Sequence, residues 1–281
     1  MRNITLEELL EAGCHFGHQV SRQNPKAREF IFEARDGIHI IDLEKTKADL
    51  EAAAAFVKKL AQSGGTMLVL GTKKQAQGIL KEEMQRATNE GADGLFVVTQ
   101  RWIGGTLTNF SEVSKNYKRL KDLTGRLQDE YSKQGFTKKE IGDWEKDRVK
   151  LQGFYGGTSD MTKTPDALFI IDTHTEHVAV KEARKMGVPT VGITDTNSDP
   201  LLINHPIPAN DDAVGSLKVI INYIFDAWIE GRKEMGKEAE KAAKKEEAKA
   251  AKEAKAEEAA KVEAPKEKKT VKKAAKKEET K

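Results

Sequence analysis

Cysteine is almost absent from this sequence. A single residue, Cys14, excludes an intrachain disulfide and fits a reducing compartment. No apolar run approaches the roughly 20 residues that a membrane-spanning helix needs, and no charged-then-apolar leader follows Met1. The expectation is a soluble cytoplasmic chain without membrane contact. A general surplus of positive charge is missing too. From Arg232 onward there are 18 Lys and Arg against 12 Glu, which leaves 30 against 33 acids in residues 1–231. The basic character belongs to the end of the chain, so residues 1–231 must meet any polyanion through local patches. Nucleotide motifs are also lacking: no GxGxxG follows the first strand, and Gly71-Thr72-Lys73-Lys74 has neither the preceding glycine nor the spacing of a P-loop.

What is present is a rhythm. Thr5-Leu6-Glu7-Glu8 reads as a capping box opening a short helix that runs out at Gly13. Apolar runs at Ile38–Leu43, Met67–Leu70, Leu95–Thr99, Ala167–Asp172 and Thr190–Thr194 then alternate with amphipathic stretches at Lys45–Gln62, Lys73–Thr88 and Glu176–Met186. A short strand at Ile207 and a helix from Asp212 to Glu230 close the series. Short apolar runs between amphipathic helices indicate a doubly wound α/β domain with a parallel sheet and helices on both faces.

Two stretches depart from the rhythm. Between Asn109 and Phe154, Val113, Tyr117, Leu120, Leu123, Leu127 and Tyr131 recur at helical spacing. Gly135 breaks the stripe, Thr137-Lys138-Lys139-Glu140 is a second capping box, and Ile141, Trp144 and Leu151 resume it. This predicts an inserted antiparallel helical hairpin of coiled-coil type over 109–153, with the core domain formed by 1–108 and 154–231. Residues 232–281 are almost wholly Lys, Glu and Ala without an apolar stripe, which predicts a disordered charged tail.

The functional candidates cluster in loops. From Gly13 to Ile38 the chain reads as an irregular, rigid basic arm carrying Arg22, Lys26, Arg28 and Arg35, held extended at Gln23-Asn24-Pro25 because proline disfavours a helical residue before it. Open parallel sheets carry function beyond the carboxyl ends of their strands. There, Asp172, Asp195, Asp199, Asp211 and Asp212 form a carboxylate set able to hold magnesium, with Gly71–Lys74 facing a phosphate. That set supports one reading, a metal-dependent phosphate-handling enzyme. Against it, Asp, Asn, Ser and Thr at strand ends are ordinary turn-formers and caps. Cys14, His15 and His18 form one potential metal group and His174, Glu176 and His177 another, but neither supplies four ligands at a structural-zinc spacing. The second reading is a binding protein. Arg101 offers a guanidinium beside the paired Gly104-Gly105, Asn109 follows as a hydrogen-bond partner, and Trp102 reads as packed beneath the hairpin. Lys115 and Lys118 lie on the hairpin's outer face. Structured RNA is bound largely through phosphate and 2′-hydroxyl contacts, which need no catalytic set.

Several motifs occur together and in order. They are Ala12-Gly13-Cys14-His15-Phe16-Gly17-His18-Gln19, Asn24-Pro25-Lys26, Gly37-Ile38-His39-Ile40-Ile41-Asp42-Leu43, Gly71-Thr72-Lys73-Lys74, Arg101-Trp102-Ile103-Gly104-Gly105 and Asp195-Thr196-Asn197-Ser198-Asp199-Pro200. Over residues 3–230 the chain closely resembles the family of bacterial ribosomal protein two of the small subunit. The resemblance implies a Rossmann-like α/β core with an inserted hairpin and a non-enzymatic part of the ribosome without a cofactor. It further implies a position between head and body of the small subunit, in contact with ribosomal RNA. Partners would be that RNA and other small-subunit proteins, notably the large messenger-binding one, whose docking it would support. Carried onto this chain, the candidate RNA contacts are Arg22, Asn24, Lys26, Arg28, Lys73, Lys74, Arg101, Asn109, Lys115 and Lys118, with no catalytic or metal residue.

Overall fold

A computed structural model describes residues 2–237. Helix α1 (Leu6–Glu11) starts at Thr5, whose hydroxyl accepts from the Glu8 amide at 3.2 Å. Only half of the expected capping box forms, because the Glu8 carboxylate turns to Arg2 at 2.6 Å.

The segment after α1 corrects the expectation of an irregular arm. Strands β1 (Phe16–Gln19), β2 (Ile31–Arg35) and β3 (Ile38–Ile41) form a small antiparallel sheet in the order β1-β3-β2, with 3₁₀ turns at Val20–Arg22 and Pro25–Phe30 between β1 and β2. Asp36 and Gly37 join β2 to β3 with φ of 52° and 78°, the left-handed pair that a tight hairpin turn demands. The run from Ile38 is therefore not a strand of the main sheet. It also stops at Ile41, since the Asp42 carboxylate caps helix α2 (Leu43–Gln62) by accepting from the Glu44 amide. The extended conformation expected at Asn24 is present, with φ −84° and ψ 126°.

Strand β4 (Met67–Leu70), helix α3 (Lys74–Asn89) and strand β5 (Leu95–Val98) follow. Two helices, α4 (Phe110–Gln128) and α5 (Lys138–Tyr155), come next, and then strand β6 (Ala167–Ile170), helix α6 (His177–Met186), strand β7 (Thr190–Thr194) and strand β8 (His205–Pro208). A closing helix, α7, runs from residue 214 to the last described residue, 237. The five main strands are all parallel, in the order β5-β4-β6-β7-β8. Every residue of β4, β6 and β7 is buried, as expected for parallel strands covered on both faces. Alternate residues serve opposite layers. Met67, Val69 and Phe169 pack with α2, α3 and α7, while Leu68, Leu70, Leu168 and Ile170 pack with α4 and α6. Pro206 and Pro208 are tolerated because β8 is an edge strand.

Helices α4 and α5 run antiparallel. Arg119 pairs with Asp147 at 2.6 Å, and Asn116 meets Tyr155 further toward the sheet. Thr137 and Glu140 form the full reciprocal capping box expected there. Val113, Tyr117, Leu120 and Leu123 are buried on α4, whereas α5 buries only Tyr155. The expected charged tail lies, from residue 238, outside the described residues.

Candidate nucleic-acid interface

The carboxyl end of the main sheet gathers most of the residues that the sequence singles out. The strand order reverses direction between β4 and β6, so the loops after these two strands flank the crevice where open α/β sheets place their ligands. That crevice is already filled by a lysine. Lys73 projects its ammonium to Asp212 at 2.7 Å, Asp211 at 2.8 Å and Asp172 at 3.0 Å, and it also donates to the Asp211 carbonyl. Burial alone would lower the Lys73 pKa, but Asp211, Asp212 and Asp172 outweigh it and leave the ammonium above its ordinary value. Asp211 is fully buried, and one of its carboxylate oxygens has no partner. Burial, reinforced by Asp172 and Asp195 and opposed by Lys73, pushes its pKa up to about 7.

The small sheet is fastened to the same end. The His18 amide donates to the Thr196 hydroxyl at 2.9 Å, the Asn24 amide donates to the Thr196 carbonyl at 2.8 Å, and Lys26 pairs with Asp199 at 2.6 Å. Gly17 must be glycine here, since a Cβ would lie 2.7 Å from the Thr196 side chain. The His18 imidazole meets Asp195 at 3.0 Å, and that hydrogen bond raises its pKa against the opposing effect of burial.

A further carboxylate, unremarked in the sequence, organises the Arg101–Asn109 loop. Glu182 of α6 is buried, and it accepts from the Trp102 indole, the Gly105, Leu107 and Thr108 amides and the Thr108 hydroxyl at 2.7–3.2 Å. Burial would raise this carboxyl, but the loop amides and the indole hold it below its ordinary value. The signal was an acid three residues after Ala179 and one before Ala183, on the buried stripe of an amphipathic helix. Trp102 is packed as expected, while Arg101 stands exposed at the loop's outer edge.

The ten candidate RNA contacts thus divide. Arg22, Arg28, Lys74, Arg101 and Lys118 are exposed, and their side chains have no hydrogen-bond or ion-pair partner among the described residues. Lys26 is exposed but paired with Asp199, and Lys115 is exposed but paired with Glu112 at 2.7 Å. Asn24 uses its side-chain oxygen to accept from the Lys26 amide, and Asn109 precedes α4 without a side-chain cap. Lys73 differs from all of these, being held by three carboxylates.

The candidate metal groups fare differently. Cys14 is buried, its thiol is pushed up to about 11 by burial, and it does not bring a ligand atom together with His15 and His18. Among the described residues, only His18, Asp195 and Asp211 bring three potential ligand atoms within 4.8 Å of one another. Lys73 already supplies positive charge to Asp211.

Comparison with known proteins gives a family for the chain. The family model described as Ribosomal protein S2 matches residues 9–231. The small ribosomal subunit protein uS2 of Corynebacterium diphtheriae is 48% identical over 244 residues, covering 87% of this chain and 90% of that protein. The protein of the same name from Geotalea uraniireducens is 50% identical over 231 residues, covering 82% of this chain and 88% of its own length. The matched span runs from α1 into the closing helix and takes in the whole carboxyl end of the sheet: the chain belongs to the ribosomal protein S2 family.

Proposed function

We propose that this chain is a structural protein of the small ribosomal subunit that works on the cytoplasmic ribosome. In this reading it holds ribosomal RNA through phosphate contacts and docks other small-subunit proteins, the large messenger-binding one among them. Members of the family are structural components, not enzymes. No helix among the described residues is long and apolar enough to cross a membrane.

The observation that carries RNA binding is the set of exposed, unpaired cations: Arg22 and Arg28 beside the small sheet, Lys74 and Arg101 at the sheet's carboxyl end, and Lys118 on α4. Such groups neutralise phosphates and release counterions without having to break internal pairs. Asn24, Asn109, Lys26 and Lys115 complete the proposed interface as positioning groups. Lys73 is left out of it. Protein docking is supported by a different surface. Phe16, Val20, Phe32 and Ile38 of the small sheet and its first turn are all exposed, Phe32 by 73%, and exposed apolar groups gathered in one region mark contact with a partner protein. The proposed division of labour is a core domain of 1–108 and 154–231, a hairpin of 109–153 and a tail of 232–281.

The test is sedimentation of a cell lysate through a sucrose gradient, probing for the chain before and after a high-salt wash. Co-migration with small subunits that is lost as salt rises is the expected result. A peak of free protein under gentle conditions would overturn the reading.

A further inference from the structure

Beside the lysine-filled crevice lies an open cleft of about 370 Å³, lined by Thr72, Gln100, Arg101, Trp102, Gly104 and Glu176, among others. Its walls are fixed before any ligand arrives. On one side Glu182 holds the backbone of Gly105, Leu107 and Thr108. On the other, Asp172 accepts from the amides of His174 and Thr175 at 3.0 and 2.9 Å and from the Thr175 hydroxyl at 2.8 Å. Between them sits Glu176, only 6% exposed, with one carboxylate oxygen accepting from the Thr72 hydroxyl and the other without a partner among the described residues. A preformed cleft of a few hundred Å³ with a few convergent polar groups is the usual form of a small-molecule or base-sized site.

The charges select the occupant. Arg101 is the one unpaired cation among the described lining residues, and Glu176 is their acid. A free phosphate is attracted by the first and repelled by the second, and a metal ion meets the reverse. A ligand that satisfies both must carry an N–H donor and a negative charge a short distance apart. A nucleotide does so, with an exocyclic amino group on its base and a phosphate on its backbone. RNA is read by protein chiefly where bases are unstacked and splayed out. We propose that this cleft holds one unstacked nucleotide of the bound RNA, its exocyclic amino group donating to the free oxygen of Glu176 and its phosphate lying against Arg101. The occupant belongs to the RNA of the proposed function and therefore depends on that reading.

The full-length chain and the variants Glu176→Leu, Val178→Trp and Arg101→Ala are each bound to small-subunit RNA stripped of this protein. Reagents that attack the hydrogen-bonding edges of unpaired bases then map the RNA, and binding is followed across salt. Wild type should protect one unpaired amino-bearing base. Glu176→Leu should restore its reactivity and weaken binding about tenfold with an unchanged salt slope, as for one lost hydrogen bond to a charged group. Arg101→Ala should lower the slope by about one. Val178 is 43% exposed at the cleft's edge, so Val178→Trp fills the cleft without disturbing the core and should also abolish protection, even if Glu176→Leu fails to fold. Protection of no unpaired base by a wild-type chain that binds RNA, or protection that survives Val178→Trp, overturns the cleft assignment and leaves RNA binding standing. A wild-type chain that does not bind the RNA overturns both.

Discussion

Two groups of cations among the described residues behave as different kinds of group. Around Lys73 the ammonium is surrounded by Asp172, Asp211 and Asp212, and the neighbouring Asp195 engages His18. Beside the small sheet and along the outer edge of the Arg101 loop, Arg22, Arg28 and Arg101 face solvent without a partner among the described residues. The first region joins the loops after β4, β6, β7 and β8 to His18 of β1, and its lysine is held within the protein. The second keeps its charge for whatever approaches from outside. A lysine in a loop at a strand end is therefore no indication of phosphate binding until its neighbours are known.

The largest effect should come from breaking the first region. Lys73→Met leaves three carboxylates without their cation, and we expect a loss of about 3–5 kcal/mol at neutral pH, read from denaturant unfolding. A loss below about 1 kcal/mol would mean that the cluster is already discharged. The same region should set the pH dependence. Between pH 3.8, the ordinary carboxyl value, and about 7, the folded chain keeps a proton on Asp211 that the unfolded chain has released. Stability should thus decline as pH rises through that window. His18 adds to the trend, since its raised pKa contributes stability below its ordinary 6.5 that is lost as pH climbs past its folded value. Asp211→Asn should flatten the slope of urea midpoints between pH 5 and 7, and an unaltered slope would remove Asp211 as its source.

The Glu182 knot offers a contrast, because its acid is satisfied by neutral donors. Glu182→Ala should cost about 3 kcal/mol, since several buried N–H groups lose their acceptor together. Its expected signature is loosened exchange protection at the Gly105, Leu107 and Thr108 amides, and protection equal to wild type would contradict it. The second region is tested through binding. Neutralising Arg22 and Arg28 should lower the salt slope of RNA association by about 0.9 for each contact and leave thermal stability alone, whereas Lys26→Ala should change the slope less because Lys26 already pairs with Asp199. Equal slopes for all three would erase the distinction between paired and unpaired cations. Smallest of all, Lys115→Ala on α4 should shift stability by no more than about 0.5 kcal/mol, as its pair with Glu112 lies in open solvent.

Much of the scaffold was legible before folding. Met67–Leu70 and Ala167–Ile170 are apolar runs short enough for strands and bounded by turn residues, and the spacing of Val113, Tyr117, Leu120 and Leu123 admits one helical face. Trp102 was readable as packed and Arg101 as exposed, because an indole and a guanidinium beside two glycines have opposite solvation needs. The small antiparallel sheet was harder to read. Its strands FGHQ and IFEAR are short and mostly exposed, so their alternation is weak. The Asp36-Gly37 pair carries the only local hairpin signal in this segment, and it follows a run too short and exposed to read as a strand.

By itself, then, the sequence determined the periodicities: which runs can be strands covered on both faces, which helices have one apolar side, and where caps and glycines stop them. Those are local properties, set by side-chain volume, hydration and backbone freedom within a few residues. Only the tertiary structure decided which charges are available. Lys73 and Asp211 are 138 positions apart, and so are joined only when β4 and the loop after β8 reach the same end of the sheet. Glu182 likewise meets Gly105 across 77 positions. Electrostatic partnership depends on distance in space and on exclusion of water, neither of which sequence spacing encodes.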